Sequence, residues 1–258
     1  MTDLLKFEFR KLKRQKSFYV ILAIMVALVV LSAVMSKLLE SLASEIDAVA
    51  DAMDGESIAI TGAGTVLGVV SASMFSTLSA IFTAIIVCGD YESQVIKNVY
   101  ARGYSRESFY FAKLIYIVVT TSIMFFAAVA VSAILGAALF GISESGGRII
   151  LLLATQYIAA VAGVTMYFAI SAVIKKLGGS IAACIIAPML VSLVLSLLNS
   201  ALKLNDFTIA DFWLPSFTTI LSNIGVADKK IALCAALSVF YAAAFIWVGF
   251  ASSKKSEV

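Results

Sequence analysis

Six stretches of this 258-residue chain contain no Asp, Glu, Lys, Arg or His: 17–36, 67–89, 114–141, 149–174, 177–202 and 231–253. A helix rising about 1.5 Å per residue needs about 20 residues to cross about 30 Å of hydrocarbon, and every window reaches that length. None alternates apolar and polar residues over about ten positions, as a membrane β-barrel strand would. Composition agrees, with 62% hydrophobic and 14% charged residues, against about 25% charged in soluble domains. The expected fold is an all-α membrane protein forming one membrane domain over 1–258. Its transmembrane helices fall at about 17–36, 67–89, 114–138, 149–174, 178–201 and 231–252. The first run is too long for a cleaved signal core, and five more follow it.

Basic residues orient the spans. With the N-terminus inside, fourteen of the nineteen Lys and Arg residues face the cytosol and five face outward, while ten of the sixteen acids lie outside. Both termini are therefore expected in the cytosol of a multi-pass plasma-membrane protein. A seventh span at 212–227 would leave the same fourteen-to-five ratio, so length decides. That window holds sixteen residues, with Pro215 and five polar side chains (Ser216, Thr218, Thr219, Ser222, Asn223). It suits a re-entrant or interfacial segment over 208–227 better than a crossing, with Trp213 at the headgroup level.

Segments flanking the spans carry their own patterns. Residues 2–16 predict an interfacial helix, with Leu5, Phe9 and Leu12 as its apolar stripe and Lys6, Arg10 and Lys13 turned away. Such a helix is either a basic anchor on anionic lipid or an elbow docked on the neighbouring cytosolic loop. Residues 38–54 predict an external amphipathic helix with Glu40, Asp47, Asp51 and Asp54 on its wet face. Residues 142–148 read as an external turn and Lys175-Lys176-Leu-Gly-Gly as a cytosolic one. Pro188 should kink or break span five. Cys88, Cys184 and Cys234 all sit in apolar windows, so they read as small buried hydrophobes without disulfides.

The longest charged cytosolic interval is Gly89 to Lys113. It holds three acids (Asp90, Glu92, Glu107), four bases (Lys97, Arg102, Arg106, Lys113) and the aromatics Tyr91, Tyr100, Tyr104, Phe109 and Tyr110. Tied into spans at both ends and too polar for lipid, it is built to touch something soluble. A surface helix is expected over 91–104, a turn at Gly103, and an N-cap at Ser105 with Glu107 in the following first turn. Arg102 and Arg106 can reach carboxylates on a partner, or Asp90 and Glu92 at the membrane edge.

Much chemistry is missing. The chain has no histidine, the commonest general base and metal ligand. It has no Cys cluster for zinc, no GxSxG elbow and no phosphate loop ending in Gly-Lys-Ser/Thr. Nothing charged lies deeper than the span ends, whereas ion-coupled carriers usually keep intramembrane charges. Two uncharged polar stripes exist: Ser76, Ser79 and Thr83 in span two, and Ser192, Ser196 and Asn199 in span five. Such residues serve close helix packing or form a weakly polar path for an amphipathic substrate.

In order, LLKFEFRKLKRQKSFYVILA, DYESQVIKNVYARGYSRESFYFAKLI, the six-span plan and the segment before the last span resemble the type-2 exporter permeases of ABC transporters. One departure is Gln94-Val95, where many family members carry Gly-Thr. The resemblance implies a transmembrane subunit without its own ATPase activity, whose loop between spans two and three is a coupling helix on a separate ATP- and magnesium-binding ATPase. It puts coupling at Tyr91, Glu92, Lys97, Arg102, Tyr104 and Arg106, and the substrate path at the two polar stripes. It also implies a second permease, identical or paralogous, and export of an amphipathic peptide, antimicrobial or drug from a bacterium. Membrane lipids are the other expected partner, and nucleic acid is not. The competing classes are a non-transporting membrane scaffold or assembly factor and an ion-coupled carrier.

Overall fold

The computed structural model describes residues 2–12, 15–50, 62–71, 73–141, 146–202 and 209–255. Among these the elements are α1 (Thr2–Leu12), α2 (Lys16–Ala50), α3 (Gly62–Ser71), α4 (Ser73–Glu92) and α5 (Val95–Ala101). There follow α6 (Arg106–Phe140), α7 (Gly146–Ile174), α8 (Leu177–Leu202), a 3-10 turn (Ile209–Phe212), α9 (Leu214–Ile220) and α10 (Asp228–Lys255), with no strand among the described residues. Six stretches are long and apolar enough to cross a membrane: Lys16–Leu39, Gly64–Glu92, Arg106–Phe140, Gly146–Ile174, Leu177–Ala201 and Asp228–Ser253. The expected all-helical, six-span architecture is the one observed.

α7 is the central post, packed against α4, α6, α8 and α10. The main apolar core joins Met25 of α2, Phe82 of α4, Phe125 of α6 and Phe168 of α7. A second cluster gathers Leu67 of α3, Leu152 of α7, Phe217 of α9, Leu221 and Ile231 of α10. Cys88, Cys184 and Cys234 are buried free thiols, as expected.

The two ends of the bundle are fixed by contacts between distant parts of the chain. The Tyr110 hydroxyl donates to the Ile246 carbonyl at 2.9 Å, so the start of α6 lies beside the finish of α10. At the opposite end Arg148, opening α7, donates to the Ile224 carbonyl at 2.7 Å and to that of Val226, and it pairs with Asp228 at 3.7 Å. α10 therefore traverses the bundle once, and the segment preceding it finishes at the Arg148 end. The expected 208–227 segment is seen from residue 209 as a 3-10 turn and the seven-residue α9, about 10 Å long and too short to cross. Its Trp213 packs with Met166, Tyr167 and Cys184 and edge-on to Tyr241.

Several local expectations shift. The helix expected to continue from span one is seen as far as Ala50: α2 runs on unbroken, because no Gly or Pro interrupts it. Residues 51–54 and the acidic side chains Glu40 and Asp47 lie outside the described residues, as do 142–145 of the external turn. α8 runs through Pro188 without a break, and the Ser192 hydroxyl donates to the Pro188 carbonyl at 2.9 Å. The turn before α8 is only Lys175-Lys176. Lys175 adopts φ 58, and Gly178 and Gly179 belong to the helix. A Cβ at Gly179 would meet Ile174 at 3.2 Å, so glycine serves a close approach there.

The surface helix expected over 91–104 spans Val95–Ala101 instead. α4 extends to Glu92, then Gln94 turns the chain at φ 55, ψ 17. That is the left-handed region which glycine occupies without a Cβ penalty, and it falls where family resemblance would place a glycine. Gly103 turns at φ 83, and Ser105 caps α6 by accepting from the Ser108 amide at 3.2 Å, both as expected.

Candidate functional site

The end of the bundle that carries α5 also receives α1, the α7–α8 turn and the last turns of α10. α1 does not simply float on lipid. Leu4 joins Ile96 of α5 with Phe109 and Ala112 of α6 in an apolar cluster rimmed by Tyr91, Tyr100 and Tyr104. The buried stripe is Leu4, Glu8 and partly Lys11, displaced by one residue from the expected Leu5, Phe9 and Leu12. Phe9 is instead exposed, and Leu5 and Leu12 are half-buried.

Below this cluster lies a chain of charges that sequence reading missed. Lys113 of α6 donates to both oxygens of Glu8 at 3.2 Å and to Asp90 of α4, while Lys11 donates to the other Asp90 oxygen. Glu8, Asp90 and Lys113 are all at least nineteen-twentieths buried. Two carboxylates and two ammonium groups balance, which is what permits ions to leave water at all. The Tyr116 hydroxyl extends the join by donating to Gln15 at 3.0 Å. The visible signal was an acid, Glu8, four residues after Leu4 and three before Lys11 in a basic helix.

Asp90 is thus held by Lys11 and Lys113, and is not the carboxylate at the membrane edge that Arg102 and Arg106 were expected to reach. Glu92 has a different task as well: its carboxylate accepts from the Leu177 amide at 2.8 Å and caps α8. Lys175 sits 5.5 Å above the Tyr91 ring, a cation–π contact. α4 and the α7–α8 turn are therefore clasped together. Tyr91 and Tyr104 are half-buried, while Lys97, Arg102 and Arg106 stay exposed, with Arg106 5.9 Å from the Tyr100 ring. Burial pushes the Tyr100 phenol up, against the pull of Arg106, so it stays neutral. With exposed Lys6, Arg10 and Lys176, this end presents a basic rim broken by Glu92 and Glu107.

The polar stripes are treated unequally. Ser76 and Ser79 line a cavity of about 170 Å³ between α4, α7 and α9, together with Tyr167, Thr218 and Thr219; α8 contributes no lining residue. Thr83 is buried and donates to the Ser79 carbonyl at 2.7 Å. Ser196 is exposed, while Ser192 and Asn199 are half-buried on α8. A second cavity, of about 360 Å³, lies between α2, α3, α4 and α6 and is mainly apolar. No group of three or more His, Cys, Asp or Glu residues able to hold a metal exists among the described residues.

A six-span helical bundle with an exposed basic rim at one end, beside buried ion pairs, defines a multi-pass membrane protein. Residues 4–200 match the family model of the ABC-2 family transporter proteins, and the chain belongs to that family. In comparison with curated proteins, no sequence matches this chain.

Proposed function

We propose that this chain is the permease subunit of an ATP-driven exporter, which moves an amphipathic peptide, antimicrobial or drug out of a bacterial cell. It works with a separate ATPase that binds ATP and magnesium, and with a second permease, either identical or paralogous. The observation that carries this is the surface around α5: Lys97 on the helix, Arg102 just after it and Arg106 opening α6 are exposed, while Glu8, Asp90 and Lys113 tie α1, α4 and α6 together beside it. A surface tied in this way passes a push into α4 and α6 together. Its basic rim fits a partner surface rich in carboxylates. Co-expression with the ATPase tests the reading: a stable complex with substrate-stimulated ATP hydrolysis is expected, and no complex would leave only a scaffold.

Reversing charge on the rim separates coupling from simple anchoring. Arg106→Glu or Arg102→Glu should leave expression and insertion intact but cut ATP-dependent transport, since like-charge contacts at an interface cost several kcal/mol. Normal transport by both well-expressed variants would remove these arginines from the coupling role.

Sidedness follows from the same reading. The α5 end is cytosolic, with both termini, and 209–220 dips in from outside. In a Cys-free background Lys254→Cys should label only from the cytosol and Lys230→Cys only from outside. Cytosolic labelling at 230 would mean that an extra crossing precedes α10.

A further inference from the structure

We propose that the cavity between α4, α7 and α9 binds an uncharged amide carried on an apolar body, the chemistry of a capped or backbone peptide group. Five hydroxyl-bearing residues line it, Ser76, Ser79, Tyr167, Thr218 and Thr219, and the rest of its lining is Gly or apolar. Its volume of about 170 Å³ is near that of an engineered cavity known to admit benzene, about 150 Å³. A group of roughly that size therefore fits.

The hydroxyls are not equivalent. Ser76 and Tyr167 bond to one another, and Thr218 donates to the Pro215 carbonyl at 3.0 Å. Ser79 is 1% exposed, and its hydroxyl has no hydrogen-bond partner among the described residues. Buried hydroxyls are rarely left so, because the lost hydration is not repaid. Ser79 therefore holds an unspent donor and acceptor in the cavity wall. Across the cavity Gly163 leaves the α7 backbone open, since a Cβ there would meet nothing within 4 Å.

The lining also says what does not fit. It contains no carboxylate, ammonium or guanidinium to balance a charge, and an unpaired ion in such a place is strongly disfavoured. An amide brings a donor and an acceptor without charge, which matches hydroxyls that can play either part. Its apolar body has Val164, Met166 and Leu214 to lie against. This names the ligand chemistry of the Ser76–Ser79 stripe and rests on the permease reading only for the occupant being cargo.

Binding can be tested on the purified chain in nanodiscs, without an ATPase. The probes are octanamide and its carboxylate analogue octanoate, and the readout is the maleimide labelling rate of Thr218→Cys in a Cys-free background. The amide should slow labelling and the carboxylate should not. Ser79→Ala should raise the half-protecting amide concentration about three- to tenfold, the worth of one hydrogen bond. Gly163→Leu, which fills the cavity, should abolish protection. If it does not survive purification, Gly163→Val serves in its place, filling less of the open space beside the α7 backbone. Equal protection by both probes, protection undiminished by these variants, or no protection at all, as for a cavity that holds water only, would each overturn the proposal. Protection by the amide without ATP-driven transport in the co-expressed complex would instead count against the permease reading and leave the site standing.

Discussion

Lys113→Met should lower the unfolding free energy in detergent by about 3–5 kcal/mol, the cost of removing one partner from a buried ion pair. The wild-type cluster sets two carboxylates against two ammonium groups. Without Lys113, Glu8 loses both hydrogen bonds that the structure gives it. Asp90 keeps only Lys11, whose side chain is 32% exposed. Neither carboxylate can turn to water while α1 stays docked, so detachment of α1 should precede global unfolding. Adding Glu8→Gln to Lys113→Met should recover part of the loss, because it removes the stranded charge while keeping the shape. A double-mutant cycle on these two positions reads that coupling directly. A loss under about 1 kcal/mol for Lys113→Met would mean the cluster behaves like an exposed surface pair.

Phe217→Ala comes next in size, at about 3 kcal/mol for an emptied aromatic site that cannot collapse. Phe217 is fully buried where α3, α7, α9 and α10 meet, with its ring 6.3 Å from that of Tyr241. Lipid is as apolar as this core, so the penalty comes from lost packing more than from water. α9 is seven residues long, too short to persist alone, and should loosen before the spans do. Denaturation should show a lower midpoint, and Thr218→Cys should label faster in the Phe217→Ala background. An unchanged labelling rate would show that α9 is held chiefly by Leu214 and Leu221.

The spans are legible in sequence because the exclusion of charge from hydrocarbon is a long, local signal. Gly103 and Ser105 are legible for a similar reason, since turn and cap chemistry acts within three residues. The docking of α1 is not. A helix lying between protein and lipid has two apolar directions, so hydropathy alone marked the Leu5, Phe9 and Leu12 stripe and not the Leu4 and Glu8 face that docks on protein. The charged Glu8, aimed at Lys113, decides which face turns inward, and that partner is 105 positions away. The bounds of α5 escaped for a subtler reason: Gln94 takes a glycine-like conformation without being glycine. In the cavity, Ser76 and Ser79 stand out as a stripe, whereas Tyr167, Thr218 and Thr219 join them only through tertiary packing.

The Glu8–Lys113 bond also sets an order of events during synthesis. Glu8 leaves the ribosome 105 residues before its counter-ion. At about 5–20 residues per second this leaves the acid waiting for about 5–20 s. Over that interval two spans enter the bilayer while the first helix has no seat. Asp90 arrives later and waits only 23 residues for the same lysine. The third span therefore acts as a latch: its arrival closes the amino-terminal segment onto a half-built bundle, so the first helix made becomes native only after two later spans are in place.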